Sequence, residues 1–141
     1  MTNDDDSRDP RVVRAENLLA KGQYGEAVVA ARDLLSEVEA ASGEKTEGWV
    51  HPIVLLGRAL GQCTSQLTQE SLKLAMRARE LAHLHYGKDD ARTVKVLHDC
   101  SLNLRSAGLL HESVNLSFEA LEIADRTGSR VRTFGYGLFG Y

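Results

Sequence analysis

Proline occurs only twice in this 141-residue chain, cysteine twice, and aromatic residues make up 6% of it. So little proline and aromatic content, beside abundant Ala, Leu, Arg and Glu, favours helices over a β-sandwich. The two cysteines, Cys63 and Cys100, form no CxxC pair and no disulfide framework, so a reduced, cytoplasmic setting is expected. An excess of positive charge is also missing: 17 Lys and Arg stand against 20 Asp and Glu, a formal net charge of -3. That balance gives no pull towards DNA, RNA or an anionic membrane. No apolar run approaches the ~18–20 residues needed to cross a bilayer. The opening residues carry Asp4, Asp5, Asp6 and Asp9 where a secretory leader would be basic and then apolar. Residues 1–8 therefore read as a solvated acidic tail.

What is present is apolar spacing of helical period. Asp9-Pro10 opens a helix, Asp as cap and Pro in the first turn, followed by Val12, Val13, Ala15, Leu18 and Leu19. Lys21-Gly22-Gln23 breaks it. A second helix starts at Glu26, with Ala27, Val28, Ala31, Leu34, Leu35 and Val38 on its apolar side, and ends near Gly43. His51-Pro52 opens the next, through Leu55, Leu56, Ala59 and Leu60 to about Cys63. A break at Ser65 to Gln69 leads into a helix through Leu72, Ala75, Ala78 and Leu81 that stops at Gly87. Asp89-Asp90 begins a third pair, marked by Val94, Leu97, Ser101 and Leu104, broken at Gly108, and resumed through Val114, Leu116, Leu121 and Ala124 to Gly128. Arg132-Thr133-Phe134 then repeats Arg92-Thr93-Val94, as a fourth pair would.

The repetition has a register. Aligning Glu26, Glu70 and Glu112 gives spacings of 44 and 42 residues. In that register Ala15, Ala59 and Ser101 coincide, as do Ala31, Ala75 and Ser117, and Leu34, Ala78 and Ala120. Columns of small residues let neighbouring helices approach closely, as stacked helix pairs require.

Gly22-Gln23-Tyr24-Gly25-Glu26-Ala27 resembles the Gly-x-Tyr-x-x-Ala turn of the tetratricopeptide repeat family. Gly108 to Ser113 is a weaker copy, with Leu110 for Tyr and Ser113 for Ala, and the middle copy, Gln66 to Ser71, lacks the Gly. The long period, with Leu84 to Asp90 ending the second pair and His51-Pro52 opening its first helix, is similar to the variant found in kinesin light chains and bacterial regulatory proteins. The resemblance implies an all-α fold: a right-handed superhelix of three antiparallel helix pairs (about 9–43, 50–87 and 89–128) plus an unfinished fourth at 130–141.

It also implies a concave groove lined by the first helix of each pair. The expected lining is Val12, Glu16 and Leu19 from the first pair, Ile53, Leu56, Leu60 and Cys63 from the second, and Lys95, His98, Leu102 and Arg105 from the third. Such a surface has an apolar floor and a basic edge, suited to an amphipathic protein or peptide partner with an acidic group. The other reading of Leu56, Leu60 and Leu102 is that they are core. Family members that clamp a chaperone's C-terminal carboxylate use paired Lys and Asn. Here the matching places hold Val12, Glu16 and Gly57, leaving Lys95 alone, so that specialised role is not expected.

No reaction chemistry is expected. A helical metal site needs ligands three or four residues apart, and the pairs His83/His85 and His98/Cys100 are two apart. The five histidines read as surface or groove side chains, His51 near a helix start. Cys100 reads as a small buried hydrophobe and Cys63 as more exposed, neither with a base beside it. Gly135 to Gly140 matches GxGxxG in letters only, since no strand precedes it and no helix length comes after it. It fits a glycine-rich fourth first helix, held by Phe134, Leu138 and Phe139 or, if left open, offering a homodimer surface. The function expected is a protein- or peptide-binding module without enzymatic activity, metal or cofactor. The alternative is a structural or self-associating segment of a larger regulatory protein.

Overall fold

A computed structural model describes residues 9–42, 47–63 and 68–128. The expected acidic tail at 1–8 and the expected fourth helix at 130–141 lie outside the described residues. Within them the chain forms α1 (Pro10–Ala20), α2 (Tyr24–Ser42), α3 (Val50–Cys63), α4 (Thr68–Tyr86), α5 (Ala91–Ser106) and α6 (Leu110–Thr127), with a single 3₁₀ turn at Glu47–Trp49 ahead of α3. No strand occurs among the described residues. The fold is all-helical.

Each start and stop has a local cause. Asp9 caps α1, its Oδ1 accepting the Arg11 N–H at 2.8 Å, and Asp90 caps α5, its Oδ1 accepting the Arg92 N–H at 2.7 Å. In both, the arginine side chain folds back on its own cap, Nε to Oδ1 at 3.0 Å. These hydrogen bonds hold the Asp9 and Asp90 carboxyls below their ordinary range.

The α1–α2 turn recurs 86 residues later, the sum of the two register spacings. Gly22 N–H bonds the Leu19 oxygen at 3.1 Å and Gln23 N–H reaches Leu18 at 2.9 Å; Gly108 N–H bonds Arg105 at 3.0 Å and Leu109 N–H reaches Leu104 at 2.9 Å. Both glycines are left-handed, at φ +76° and +86°, which a side chain would resist. Because the turn closes within three residues, α2 and α6 begin at Tyr24 and Leu110, two residues before the Glu26 and Glu112 that mark them in the sequence.

Each helix packs against the next, and the first helices also touch one another, α1 against α3 and α3 against α5. The three columns of small residues lie at these crossings. Ala15, Ala59 and Ser101 are buried, as are Ala31, Ala75, Leu34, Ala78 and Ala120, with Ser117 half-buried. Where serine replaces alanine, its hydroxyl is used: Ser113 Oγ donates to the Ser101 main-chain oxygen at 2.8 Å, and Ser101 Oγ lies 2.9 Å from that of Ser113. This pair of bonds stitches α5 to α6 at their crossing.

The two layers of helices are joined differently. Between α3 and α5 the backbones nearly touch: a Cβ on Gly61 would lie 3.0 Å from the Asn103 main-chain oxygen, and one on Gly57 would lie 3.1 Å from Asn103 Nδ2. Between α2, α4 and α6 the joins are long side chains. Arg32 of α2 meets Glu70 of α4, Arg77 of α4 meets Glu39 of α2 at 2.7 Å, and Glu119 of α6 accepts from Arg79 at 2.7 Å and lies 2.9 Å from His83 Nε2.

Candidate functional site

The first helices α1, α3 and α5 frame a groove of about 780 Å³. From α1 it receives Glu16. From α3 it receives His51, Val54, Leu55, Arg58 and Gln62, and from α5 Lys95, Asp99, Leu102, Asn103, Arg105 and Ser106. Its apolar part is Val54, Leu55 and the exposed face of Leu102; the rest is polar or charged.

The α3 residues follow from the spacing of polar side chains on an otherwise apolar helix. Val50, Pro52, Ile53, Leu55, Leu56, Gly57, Ala59 and Leu60 are all buried, because α3 has helices on both flanks as well as beneath it. One stripe remains for polar residues, and His51, Arg58 and Gln62 occupy it at i, i+7 and i+11. On α5 the corresponding stripe is Lys95, Asp99, Leu102 and Ser106, while Val94, Leu97, Cys100 and Leu104 point inward.

Charges in the groove divide into those matched internally and those left over. His51 Nε2 lies 3.3 Å from Glu16 Oε2, bridging α3 to α1, and Lys95 Nζ lies 2.9 Å from Asp99 Oδ2, four residues on along α5. Arg58 and Arg105, one on each wall, form no ion pair among the described residues. Asn103 is the one buried polar side chain of the lining, and its Nδ2 donates to the Val54 main-chain oxygen at 3.0 Å. Its amide locks α3 to α5 at the groove floor, in the space that Gly57 leaves open.

Of the residues expected to line the groove, Glu16, Lys95, Leu102 and Arg105 do so. Ile53, Leu56 and Leu60 do not: none exceeds 2% exposure, and all three belong to the main core. The expected apolar floor therefore lies about two residues out of register around α3, and the groove is more polar than expected. Val12 and Leu19 are buried in the smaller core between α1, α2 and α3. His98 is buried rather than a surface or groove side chain; it shares a column with Val12 and Leu56, which explains its inward direction. Burial pushes the His98 pKa down. Cys63 is exposed at the end of α3 but is not part of the groove lining.

Sequence reasoning missed Val54, Leu55, Arg58, Gln62, Asp99, Asn103 and Ser106 as groove residues, and read His51 only as a surface or groove side chain. The polar triplet on α3 was the available signal. For Asn103 the signal was weaker: a polar residue flanked by Leu102 and Leu104 on an inward-turning part of α5.

Cys100 is buried and its thiol is pushed up to about 12 by burial, which keeps it protonated. Among the described residues no group of His, Cys, Asp and Glu is arranged to hold a metal ion. Among them, too, no helix is long and apolar enough to cross a membrane. No family model matches the chain, and no curated protein or solved structure matches it either.

Proposed function

We propose that this chain is a tetratricopeptide-like binding module of the cytoplasm, without catalytic activity, and that the α1–α3–α5 groove receives a peptide segment bearing an acidic group. The observation that carries this reading is the pair of guanidinium groups, Arg58 and Arg105, on opposite walls of the groove with no ion pair among the described residues. Beside them Val54, Leu55 and Leu102 offer apolar contact. A carboxylate between the walls would gain charge-assisted hydrogen bonds, for which arginine is the better-shaped donor.

The superhelical arrangement is part of the same proposal. Support comes from the unequal joins of the two layers: first helices α3 and α5 in near-backbone contact at Gly61, second helices spanned by Arg–Glu pairs. A stack shorter on one side than the other curves towards the shorter side, and here that side carries the groove.

The test is chemical-shift mapping of the full chain with two amphipathic peptides of equal hydrophobicity, one acidic and one basic. The acidic peptide is expected to shift the amides of Arg58, Gln62, Leu102 and Arg105 while the basic one leaves them in place. Equal shifts from both peptides, or shifts confined to α2, α4 and α6, would overturn the proposal. A second reading, a structural or self-associating segment, is favoured by the apolar residues that α6 exposes, Leu110, Val114 and Phe118.

A further inference from the structure

The groove opens into a second compartment at the end away from Arg58 and Arg105. This compartment holds about 490 Å³ and is walled by Val50 and Val54 of α3, Tyr86 at the end of α4, and Arg92 and Val96 of α5. His51, Val54, Lys95 and Asp99 line both compartments, so the two are continuous.

The walls of the second compartment are braced from behind. The Arg92 guanidinium lies over the Tyr86 ring, 4.4 Å from its centre, and its Nε reaches Asp90 Oδ1 at 3.0 Å. The Tyr86 hydroxyl donates to Glu47 on the 3₁₀ turn. Val50 and Val96 belong to the main core, and Val54 and Tyr86 are half-buried and packed against it. The charges here are already matched: Arg92 is committed to Asp90 and Tyr86, and Lys95 Nζ to Asp99 at 2.9 Å. What remains for a ligand is apolar surface. At the other end of the groove it is the two guanidinium groups, Arg58 and Arg105, that remain.

Helix geometry sets the distance between these two ends. Arg58 lies eight residues beyond Val50 along α3, and Arg105 nine beyond Val96 along α5. At 1.5 Å per residue, both walls place the arginines about 12–14 Å from the second compartment. An extended chain covers that distance in about four residues. A helical ligand would need about eight, and α3 and α5 approach too closely at Gly61 for a third helix, about 10 Å across, to sink between them.

Resting on the groove reading above, we propose that the second compartment is the anchor pocket of the same site. It takes one large apolar side chain of an extended peptide whose acidic residue lies four positions away, between Arg58 and Arg105. Charge complementarity fixes the acidic end, and the continuity of the compartments through Val54 fixes the path. An apolar anchor seated in a preformed pocket is where binding energy concentrates.

A peptide series titrated against the full chain tests this. Each peptide carries one Asp and one Leu in a Gly–Ser background, with Leu one to eight positions from Asp in either chain direction, and a control carries Asp alone. Affinity is expected to peak at the four-residue spacing, at least about tenfold above both the one-residue spacing and the control. The best peptide should shift the amides of Val50, Tyr86 and Val96, which the control leaves in place. Val54→Asn should remove the advantage over the control without weakening the control itself, its melting temperature being compared with wild type. If Lys in place of Asp abolishes binding but affinity is independent of spacing, or those three amides stay in place, the anchor pocket is overturned and the arginine groove stands. A peak at seven or eight residues would overturn the extended path. Binding that survives the replacement of Asp by Lys would overturn the anchor pocket and the groove reading together.

Discussion

Asn103 on α5 donates its side-chain amide to the main-chain oxygen of Val54 on α3, 3.0 Å away, directly beneath the groove. Two glycines make this possible, since Gly57 leaves room for the amide and Gly61 lets the α5 backbone come close. Placing Ala at a helical Gly ordinarily stabilises by up to about 1 kcal/mol. At Gly61 the added carbon would meet the Asn103 main-chain oxygen at 3.0 Å and Ser106 Cβ at 3.1 Å, so the helices must part. Gly61→Ala is expected to lower stability, and Gly61→Val to lower it by about 2–3 kcal/mol, through overpacking. Denaturant unfolding of both variants measures this, and a stabilised Gly61→Ala would place the α3–α5 seam elsewhere.

Ala59 sits fully buried in the column it shares with Ala15 and Ser101. A guanidinium there has neither volume nor partner. Ala59→Arg is expected to cost more than about 4 kcal/mol, enough to unfold a domain of this size. Circular dichroism at 222 nm reports it, and an unchanged melting temperature would contradict the packing.

Much of this packing was legible in the sequence, and the reason is repetition. A single small residue says little, but Ala15, Ala59 and Ser101 at 44 and 42 residues say that one crossing is built three times. The glycine stops and aspartate caps were legible for a similar reason, since each satisfies backbone groups at a helix end. The groove was legible on α5, where Lys95, Leu102 and Arg105 lie along an outward stripe. It was not legible on α3, because a helix covered on nearly every side gives no apolar period to find its open face. The few polar residues, His51, Arg58 and Gln62, mark that face instead. The 3₁₀ turn at Glu47–Trp49 had no sequence signal; Trp49 is held there beneath the Arg77 guanidinium, 5.5 Å from the ring centre.

The two thiols should differ in reactivity. Cys63 is exposed and Cys100 is buried, with its pKa pushed up to about 12. A disulfide reagent at pH 8 is expected to modify Cys63 rapidly and Cys100 only after denaturant is added, so that Cys63→Ser removes the fast phase. A fast reaction in Cys63→Ser would contradict the burial of Cys100.

His98 links stability to pH. Burial depresses its pKa in the folded protein below the usual 6.5, so the unfolded chain takes up the proton first. The contribution is present above pH 6.5 and is lost as pH falls below it, by at most about 1.4 kcal/mol per pH unit. In His98→Leu this dependence disappears. The stability difference between His98→Leu and wild type should therefore shift in favour of the variant between pH 7 and pH 5. A difference that stays constant across that range would contradict a buried, neutral imidazole.

Recognition of an acidic segment by Arg58 and Arg105 is tested most directly by peptide selection against the wild-type protein. The selected peptides are then titrated against Arg58→Glu, Arg105→Glu and the double variant, with melting temperatures compared. The expected result is enrichment of Asp and Glu beside an apolar anchor. Affinity should fall at least about tenfold in each single variant (about 1.4 kcal/mol) and further in the double, with no change in fold. Selected peptides without acidic residues, or acidic peptides that bind the double variant as tightly as wild type, would rule out the two arginines as the groove's recognition element.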